Sequence, residues 1–375
     1  MKDCSSFNGQ CFCDFLESFV NSMEEKTNSP KKRTVAIIVA SVLALVFLIV
    51  AGAAIAINQT LNLINRDTAI DATLSDEEIE SILMETDPDE AVENIEDLEQ
   101  IPEQNVEDAE VLEEDEKIVN ILLIGQDRRE GQKRQRSDAM ILCTINLEEK
   151  TLVLTSFLRD TYLKIPDWNG KQYGSNRLNV CYGIGGMEML DQCLLDNFGI
   201  TVDYNVEVDF FSFSSIVDLL GGVEIELTAS EAGHLNYICA IGNSLKEGVN
   251  LLDGNLALQY SRIRKLDSDF ARTNRQRNVV LAFMEKAKTM SLSQVIDIVV
   301  EVFPMITTDM TNGAIYDLAV KMLPVLPELQ VTSQHIPADG TYYFGQIPGM
   351  SAIAFDMEAN RQILKDTIGI AEPAA

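Results

Sequence analysis

Residues 34–57 form a run of 24 residues without one charged side chain, and that run limits the chain more than any other feature. As a helix rising about 1.5 Å per residue, it crosses the roughly 30 Å hydrocarbon core of a bilayer. Lys31, Lys32 and Arg33 stand directly before it, and the next basic residue after it is Arg66. Basic flanks stay on the cytoplasmic side, so residues 1–33 are expected to be a cytoplasmic tail and the chain after the run to lie outside. Ala51-Gly52-Ala53 looks like a signal cleavage site. The run is too long and starts too late for a removed signal, and an uncleaved, single-pass anchor is expected.

The next 59 residues, 58–116, read as an acidic extracytoplasmic spacer. Residues 66–117 hold 22 acids against Arg66 and Lys117, most of the chain's net charge of -30. Ser75 with Glu78 has the pattern of a capping box ahead of Ile79, Ile82 and Leu83, so a short helix is expected there. Beyond Pro88 the acids are dense and the apolar residues sparse, which predicts a solvated, self-repelling stalk that holds a domain off the membrane. So acidic a chain offers nucleic acid no bulk electrostatic attraction, and no nucleic-acid partner is expected.

From residue 117 to about 370 the pattern changes, leaving a short tail at 371–375. The apolar, β-branched runs 118–125, 139–145 and 151–157 suit interior strands covered on both faces. Helical spacing at 187–198, 210–220, 255–262, 273–290 and 293–303 alternates with strand-like 204–208, 223–227 and 330–336. Such alternation predicts an α/β domain, a layered structure with a central mixed sheet flanked by helices.

Two windows of this acidic chain are basic: one with Arg128, Arg129, Lys133, Arg134 and Arg136, the other with Arg262, Arg264, Lys265, Arg272, Arg275 and Arg277. Clustered guanidiniums repel one another unless they meet an anion, and their fork matches two phosphate oxygens at once. Some of any such set is ordinary solvated surface. Arg272, Gln276 and Val280 share one helical face at four-residue steps, so Arg272 and Gln276 can reach one ligand. Asp127 lies just past the first strand and Asp138 just before the second, and antiparallel pairing would bring both carboxylates to one rim. Two readings stay open for the pair: oxygen ligands for Mg²⁺ shared with substrate phosphates, or loop aspartates neutralised by neighbouring arginines. Arg159-Asp160 adds a charged pair at the end of the third strand, where open α/β sheets build sites.

Absences narrow the chemistry. Only His234 and His335 occur, which argues against a multi-histidine zinc site, and the chain has no nucleophile elbow, Walker loop or dinucleotide fingerprint. Cys4, Cys11 and Cys13 precede the apolar run without histidine or zinc spacing and read as reduced thiols or a lipidation site. Cys143, Cys181, Cys193 and Cys239 follow it, several in apolar runs where a free thiol packs as a small hydrophobe.

In order and spacing these pieces resemble the LytR-CpsA-Psr family. The resemblance runs from about Asn120 to at least Gln276 through Asn120-Ile-Leu-Leu-Ile-Gly-Gln-Asp, Arg136-Ser-Asp-Ala, Ser156-Phe-Leu-Arg-Asp-Thr-Tyr, Ala257-Leu-Gln-Tyr-Ser-Arg-Ile-Arg and Asp267-Ser-Asp-Phe-Ala-Arg-Thr-Asn-Arg-Gln. It implies a bacterial membrane protein that takes a polyprenyl-pyrophosphate-linked glycan and joins it to peptidoglycan, with Mg²⁺ (Mn²⁺ as the other candidate ion) at the pyrophosphate. Carried over by motif position, Asp127 and Asp138 would hold the metal. Arg136, Arg159, Arg262, Arg264, Arg272 and Gln276 would grip the pyrophosphate, with Arg129 a further contact. Leu158 stands where the family usually has proline, and Arg177 where a lysine is common.

The expected reaction is therefore phosphoryl transfer to a peptidoglycan hydroxyl with release of the polyprenyl phosphate. Asp160 is the expected general base beside the arginines, and Asp127, Asp138, Arg159 and Arg264 complete the expected catalytic set. A binding module for polyprenyl phosphate and a pyrophosphate hydrolase are the rival readings. Phe210, Phe211, Phe213, Ile216, Val217, Leu219 and Leu220 have the character of a lipid tunnel, although ordinary core packing accounts for each one singly.

Overall fold

A computed structural model describes residues 58–67, 74–84, 98–102, 109–112, 117–126, 135–264, 266, 269–348 and 350–368. The chain divides into two compact units, residues 1–62 and 63–375. Of the first, residues 58–62 are described and make one helical turn, with Asn62 N donating to Asn58 O at 3.1 Å. The run at 34–57 and the tail before it lie outside the described residues. Among the described residues no helix is long and apolar enough to cross a membrane.

The second unit opens with an edge strand, β1 (Asn65–Arg66), and a helix, α1 (Asp76–Met84). The long apolar runs then form β2 (Ile118–Gln126), β3 (Ser137–Asn146) and β4 (Thr151–Phe157), strands as their β-branched content predicts, and these pair as an antiparallel meander. A short ribbon, β5 (Tyr162–Lys164) with β6 (Ser175–Arg177), leads into α2 (Val180–Phe198). Gly186 bends α2 at φ 68°, a left-handed value that glycine adopts without a Cβ clash. Next come β7 (Tyr204–Asp209), α3 (Phe210–Leu219), β8 (Val223–Leu227), α4 (Ala229–Ile238), β9 (Gly248–Leu252), α5 (Gly254–Ser261) and α6 (Asp269–Lys288). The chain ends with α7 (Leu292–Val302), β10 (Thr307–Thr308), α8 (Asn312–Met322), β11 (Gln330–Ile336), the hairpin β12 (Tyr342–Ile347) and β13 (Met350–Phe355), and α9 (Met357–Ile368).

Seven strands join in the order β1-β10-β7-β2-β3-β4-β11, with β2 parallel to β7 and antiparallel to β3, and β4 parallel to β11. The sheet is central and mixed. Alternation along the strands sends Leu122, Ile124, Met140 and Leu142 to one face, where they pack against α2 and α9. Ile141, Cys143, Ile145 and Leu154 point the other way, into a core with Val280 and Leu281 of α6. Both faces are covered, which is why the interior strands read as nearly continuous apolar runs. The four described cysteines are free thiols: Cys143, Cys181 and Cys193 are buried and Cys239 is half-buried.

From Asn65 onward the acidic segment departs from a free spacer at several described places. Asn65–Arg66 pairs with β10, and the Ser75–Glu78 capping box forms as the sequence predicts. Ile79, Ile82 and Leu83 of α1 pack on the main core. Ile101 is buried beside β12 and β13, and Leu112 N donates to Gly199 O at 2.9 Å. The described apolar residues are few, but those of α1 recur at helical spacing, and Asp76, Glu77, Glu78 and Glu80 beside them are exposed. Two boundaries also move. Asp138 lies inside β3 rather than before it, and α6 begins at Asp269, so Arg272 stands in its first turn.

Candidate functional site

The site grows from the end of the meander where β2, β3 and β4 stop. Gly125 pairs with Ala139 and Gln126 with Ser137, so Asp138 is the extra residue of a β-bulge. A bulge turns the side chain of its unpaired residue out of the regular alternation. Asp138 is thereby brought to Arg159, the second residue after β4: Arg159 Nη1 donates to Asp138 Oδ1 at 2.6 Å, and Arg264 Nη2 stands 3.7 Å from the same oxygen.

Behind this pair lies a second carboxylate. Asp160 Oδ2 accepts from Arg159 Nε at 3.3 Å, and its Oδ1 accepts from Arg177 Nη1 at 3.0 Å. Arg177 is 1% exposed and Arg159 6%. Burial pushes the Asp160 carboxyl up, but Arg159, Arg177, Arg272 and Arg136 outweigh it and hold the group below the usual carboxylate range.

The remaining groups arrive from helices. Arg272 and Gln276 share one face of α6 with Val280, as their spacing predicted, and all three line the same cavity. Arg262, the residue that ends α5, lies over the Phe210 ring, its guanidinium carbon 4.6 Å from the centroid. Arg136 donates through Nε to Ile82 O at 2.7 Å, so α1 orients a site arginine. A buried network braces the rim: Gln126 Nε2 donates to Glu207 Oε1, Tyr182 Oη donates to Glu207 Oε2 at 2.5 Å, and Gln135 N donates to Gln126 Oε1 at 3.1 Å. The last of these bonds joins Gln135 to Gln126, the described residues on either side of 127–134.

The result is one cavity of about 720 Å³ lined by Arg136, Asp138, Arg159, Asp160, Arg177, Arg262, Arg264, Arg272 and Gln276. Six arginines face two aspartates in a chain of net charge -30. Such local excess favours a multiply charged anion. Leu123, Ile141, Val206, Phe210, Phe213 and Val280 continue the wall as an apolar surface. Of the phenylalanines named in the sequence, Phe210 and Phe213 line the cavity, whereas Phe211 is 82% exposed and Val217 packs in a separate core.

Eight expected site residues thus meet in one place: Arg136, Asp138, Arg159, Asp160, Arg262, Arg264, Arg272 and Gln276. Asp127 and Arg129 lie outside the described residues. Arg177 and Asn179 were not singled out as site residues, because a short polar segment between two runs of secondary structure carries no signal of burial. Asn179 Oδ1 is buried without a hydrogen-bond partner among the described residues and lines the cavity. Among the described residues no three His, Cys, Asp or Glu side chains are grouped to hold a metal. The oxygen donors present, the Asp138 carboxylate and the Asn179 carbonyl, do suit an ion such as Mg²⁺ that takes few protein ligands and completes its shell with water and phosphate.

Residues 64–363 match the LytR_cpsA_psr family. A polyisoprenyl-teichoic acid–peptidoglycan teichoic acid transferase, TagU of Bacillus mycoides (strain KBAB4), is 32% identical over 237 residues, covering 60% of this chain and 73% of TagU. The corresponding TagT of Bacillus subtilis (strain 168) is 31% identical over 236 residues, covering 60% of this chain and 71% of TagT. Among solved structures, TagT bound to LIIa-WTA superposes with a TM-score of 0.57 at 25% identity, covering 71% of this chain and 98% of that one.

Proposed function

Because the chain belongs to the LytR-CpsA-Psr family, which it matches over residues 64–363, we propose that it transfers a glycopolymer from a polyprenyl-pyrophosphate carrier to a hydroxyl of peptidoglycan. It is an enzyme of the transferase class, as its named relatives are. The proposed donor is the polyprenyl-pyrophosphate-linked form of a wall glycopolymer, for which teichoic acid is the example the relatives supply. One observation carries this reading: a cavity lined by six arginines opens onto an apolar wall, matching a diphosphate joined to a hydrocarbon.

In the reaction, a muramic acid hydroxyl forms a bond to the sugar-linked phosphorus. The bond from that phosphorus to the bridging oxygen breaks, polyprenyl phosphate leaves, and the hydroxyl proton passes to solvent. Arg159 and Arg264, both directed at Asp138, are placed to receive phosphate oxygens and spread the developing charge. Arg272 and Gln276 hold the diphosphate from the side of α6. Asp138, with Asp127, would hold Mg²⁺; bound there, the ion supplies charge neutralisation to the diphosphate oxygens. Asp160 has both oxygens engaged by arginines and a lowered pKa, so in this proposal it fixes Arg159 and Arg177 rather than taking the proton. Residues 34–57 anchor the enzyme in the bacterial membrane, with the catalytic unit outside.

The test is to incubate the full chain with Mg²⁺, a lipid-linked glycan and peptidoglycan oligomers. Glycan joined covalently to the oligomer is the expected product. Free sugar phosphate would assign the site to hydrolysis, and unchanged donor would leave a binding module.

A further inference from the structure

In sequence, the first strand of the second unit follows the charge-free run closely. Between residue 57, where the charge-free run ends, and β1 at Asn65–Arg66 stand only residues 58–64. At full extension such a tether reaches roughly 28 Å, and the helical turn at 58–61 shortens it. β1 is clamped to the connection between α7 and α8. Asn65 Nδ2 donates to Pro304 O at 3.0 Å, Asn65 N to Ile306 O at 3.3 Å, and Arg66 to Met310 O and to Asn312 Oδ1, on the first residue of α8.

The helices at this clamp are apolar yet show no buried residue among those described. On α8, Tyr316 is 59% exposed, Val320 52% and, just past its end, Leu323 43%, at steps of four and three residues that form one stripe. On α7, Val299 and Val300 are 38% and 39% exposed, and Leu63 beside the clamp is 55% exposed. Soluble proteins seldom leave contiguous apolar surface of this kind without an occupant, and a tyrosine among aliphatic residues suits a lipid–water boundary.

We propose that the α7–α8 face is a membrane-contact surface, with the Tyr316, Val320 and Leu323 stripe seated in the headgroup–acyl boundary of the leaflet from which the chain emerges. This rests on the anchoring role given above to residues 34–57. The charges on the two helices are Asp297, Glu301 and the Asp317–Lys321 pair, joined at 2.7 Å. That balance offers an anionic leaflet no attraction, so the contact is held by apolar burial rather than by charge.

The experiment places the full chain in lipid nanodiscs with and without brominated acyl chains, comparing Val320→Trp with Val249→Trp, which lies on β9 at a site 69% exposed. At least twofold bromolipid quenching of the added emission is expected for Val320→Trp and none for Val249→Trp, unchanged by 0.5 M salt or by the anionic lipid fraction. No quenching at position 320, or equal quenching at both positions, overturns the proposal. So does a Val320→Trp emission that shifts only when two chains share a disc, which would make a second copy the occupant. A chain that does not enter the discs overturns the anchoring and this surface together. Glycan transfer, assayed separately, tests the catalytic reading independently.

Discussion

Arg159 Nη1 meets Asp138 Oδ1 at 2.6 Å, joining the loop after β4 to the bulge of β3, and Arg264 approaches the same oxygen from the chain beyond α5. Two guanidiniums therefore converge on one carboxylate at the rim of the cavity. The Asp138 side chain is 24% exposed, against 7% for Arg159, so the aspartate is the more accessible member of a pair that lines the cavity together.

Asp138→Asn keeps the shape of this contact and removes its charge. Glycan transfer is expected to fall by about 100-fold or more, the scale on which positioned charge acts in phosphoryl transfer, while the unfolding midpoint shifts little. A steady-state kcat within threefold of the parent would contradict the role given to Asp138.

Arg264→Ala and Asp127→Ala are each expected to abolish transfer with an unchanged far-ultraviolet circular dichroism spectrum. Arg264 is a quarter exposed, so its loss leaves no buried group stranded. Full activity in either variant would refute the assignment.

Arg177 answers differently. Its side chain is almost wholly inaccessible and pairs with Asp160, so Arg177→Ala leaves a buried carboxylate short of one partner. Removing one member of a buried ion pair costs about 3–5 kcal/mol, measurable by urea unfolding. A loss below about 1 kcal/mol would mean that Arg159 alone satisfies Asp160.

A pH effect is expected from a group that does not line the cavity. Asn205 Nδ2 donates to Asp191 Oδ2 at 2.7 Å and to Asp309 Oδ2 at 2.8 Å. Burial raises the Asp191 carboxyl to about 8, with Asp309, Glu188 and Asp67 adding to the rise and the Asn205 hydrogen bond opposing it. Between about pH 4 and this value the folded chain retains a proton that the unfolded chain has released, so stability declines as pH rises across that window. Asp191→Asn should flatten the slope of unfolding free energy between pH 5 and 8 and leave the variant more stable than the parent at pH 8. An unchanged slope would place the titration elsewhere.

The acidic segment offers the last test. Ile79→Asp with Ile82→Asp puts charge into the contact between α1 and the main core. If residues 74–84 belong to the folded unit, cooperative unfolding should shift to lower denaturant by several kcal/mol, since apolar contact is lost and charge is buried. An inert spacer would leave the midpoint where it was.

Much of the fold could be read locally. The runs 118–125, 151–157 and 223–227 show their strands because covered interior strands need apolar, β-branched residues, and 204–208 and 330–336 show theirs nearly to the residue. The four-residue step from Arg272 to Gln276 showed their shared face because helical periodicity is a local property. The ordered motifs also carried the family resemblance, since they lie where strands and helices end.

Other features were decided only by tertiary structure. No local signal marks the bulge that turns Asp138 toward Arg159, since a bulge is a relation between two strands. The burial of Arg177 depends on Asp160, 17 residues away, and the orientation of Arg136 on the carbonyl of Ile82, 54 residues away. The acidic composition of residues 66–117 pointed to a free spacer because composition averages over positions. Packing acts on particular ones: the few apolar side chains at 79, 82, 83, 101 and 112 find partners on the domain, while the described acids Glu80, Glu99 and Glu110 are exposed.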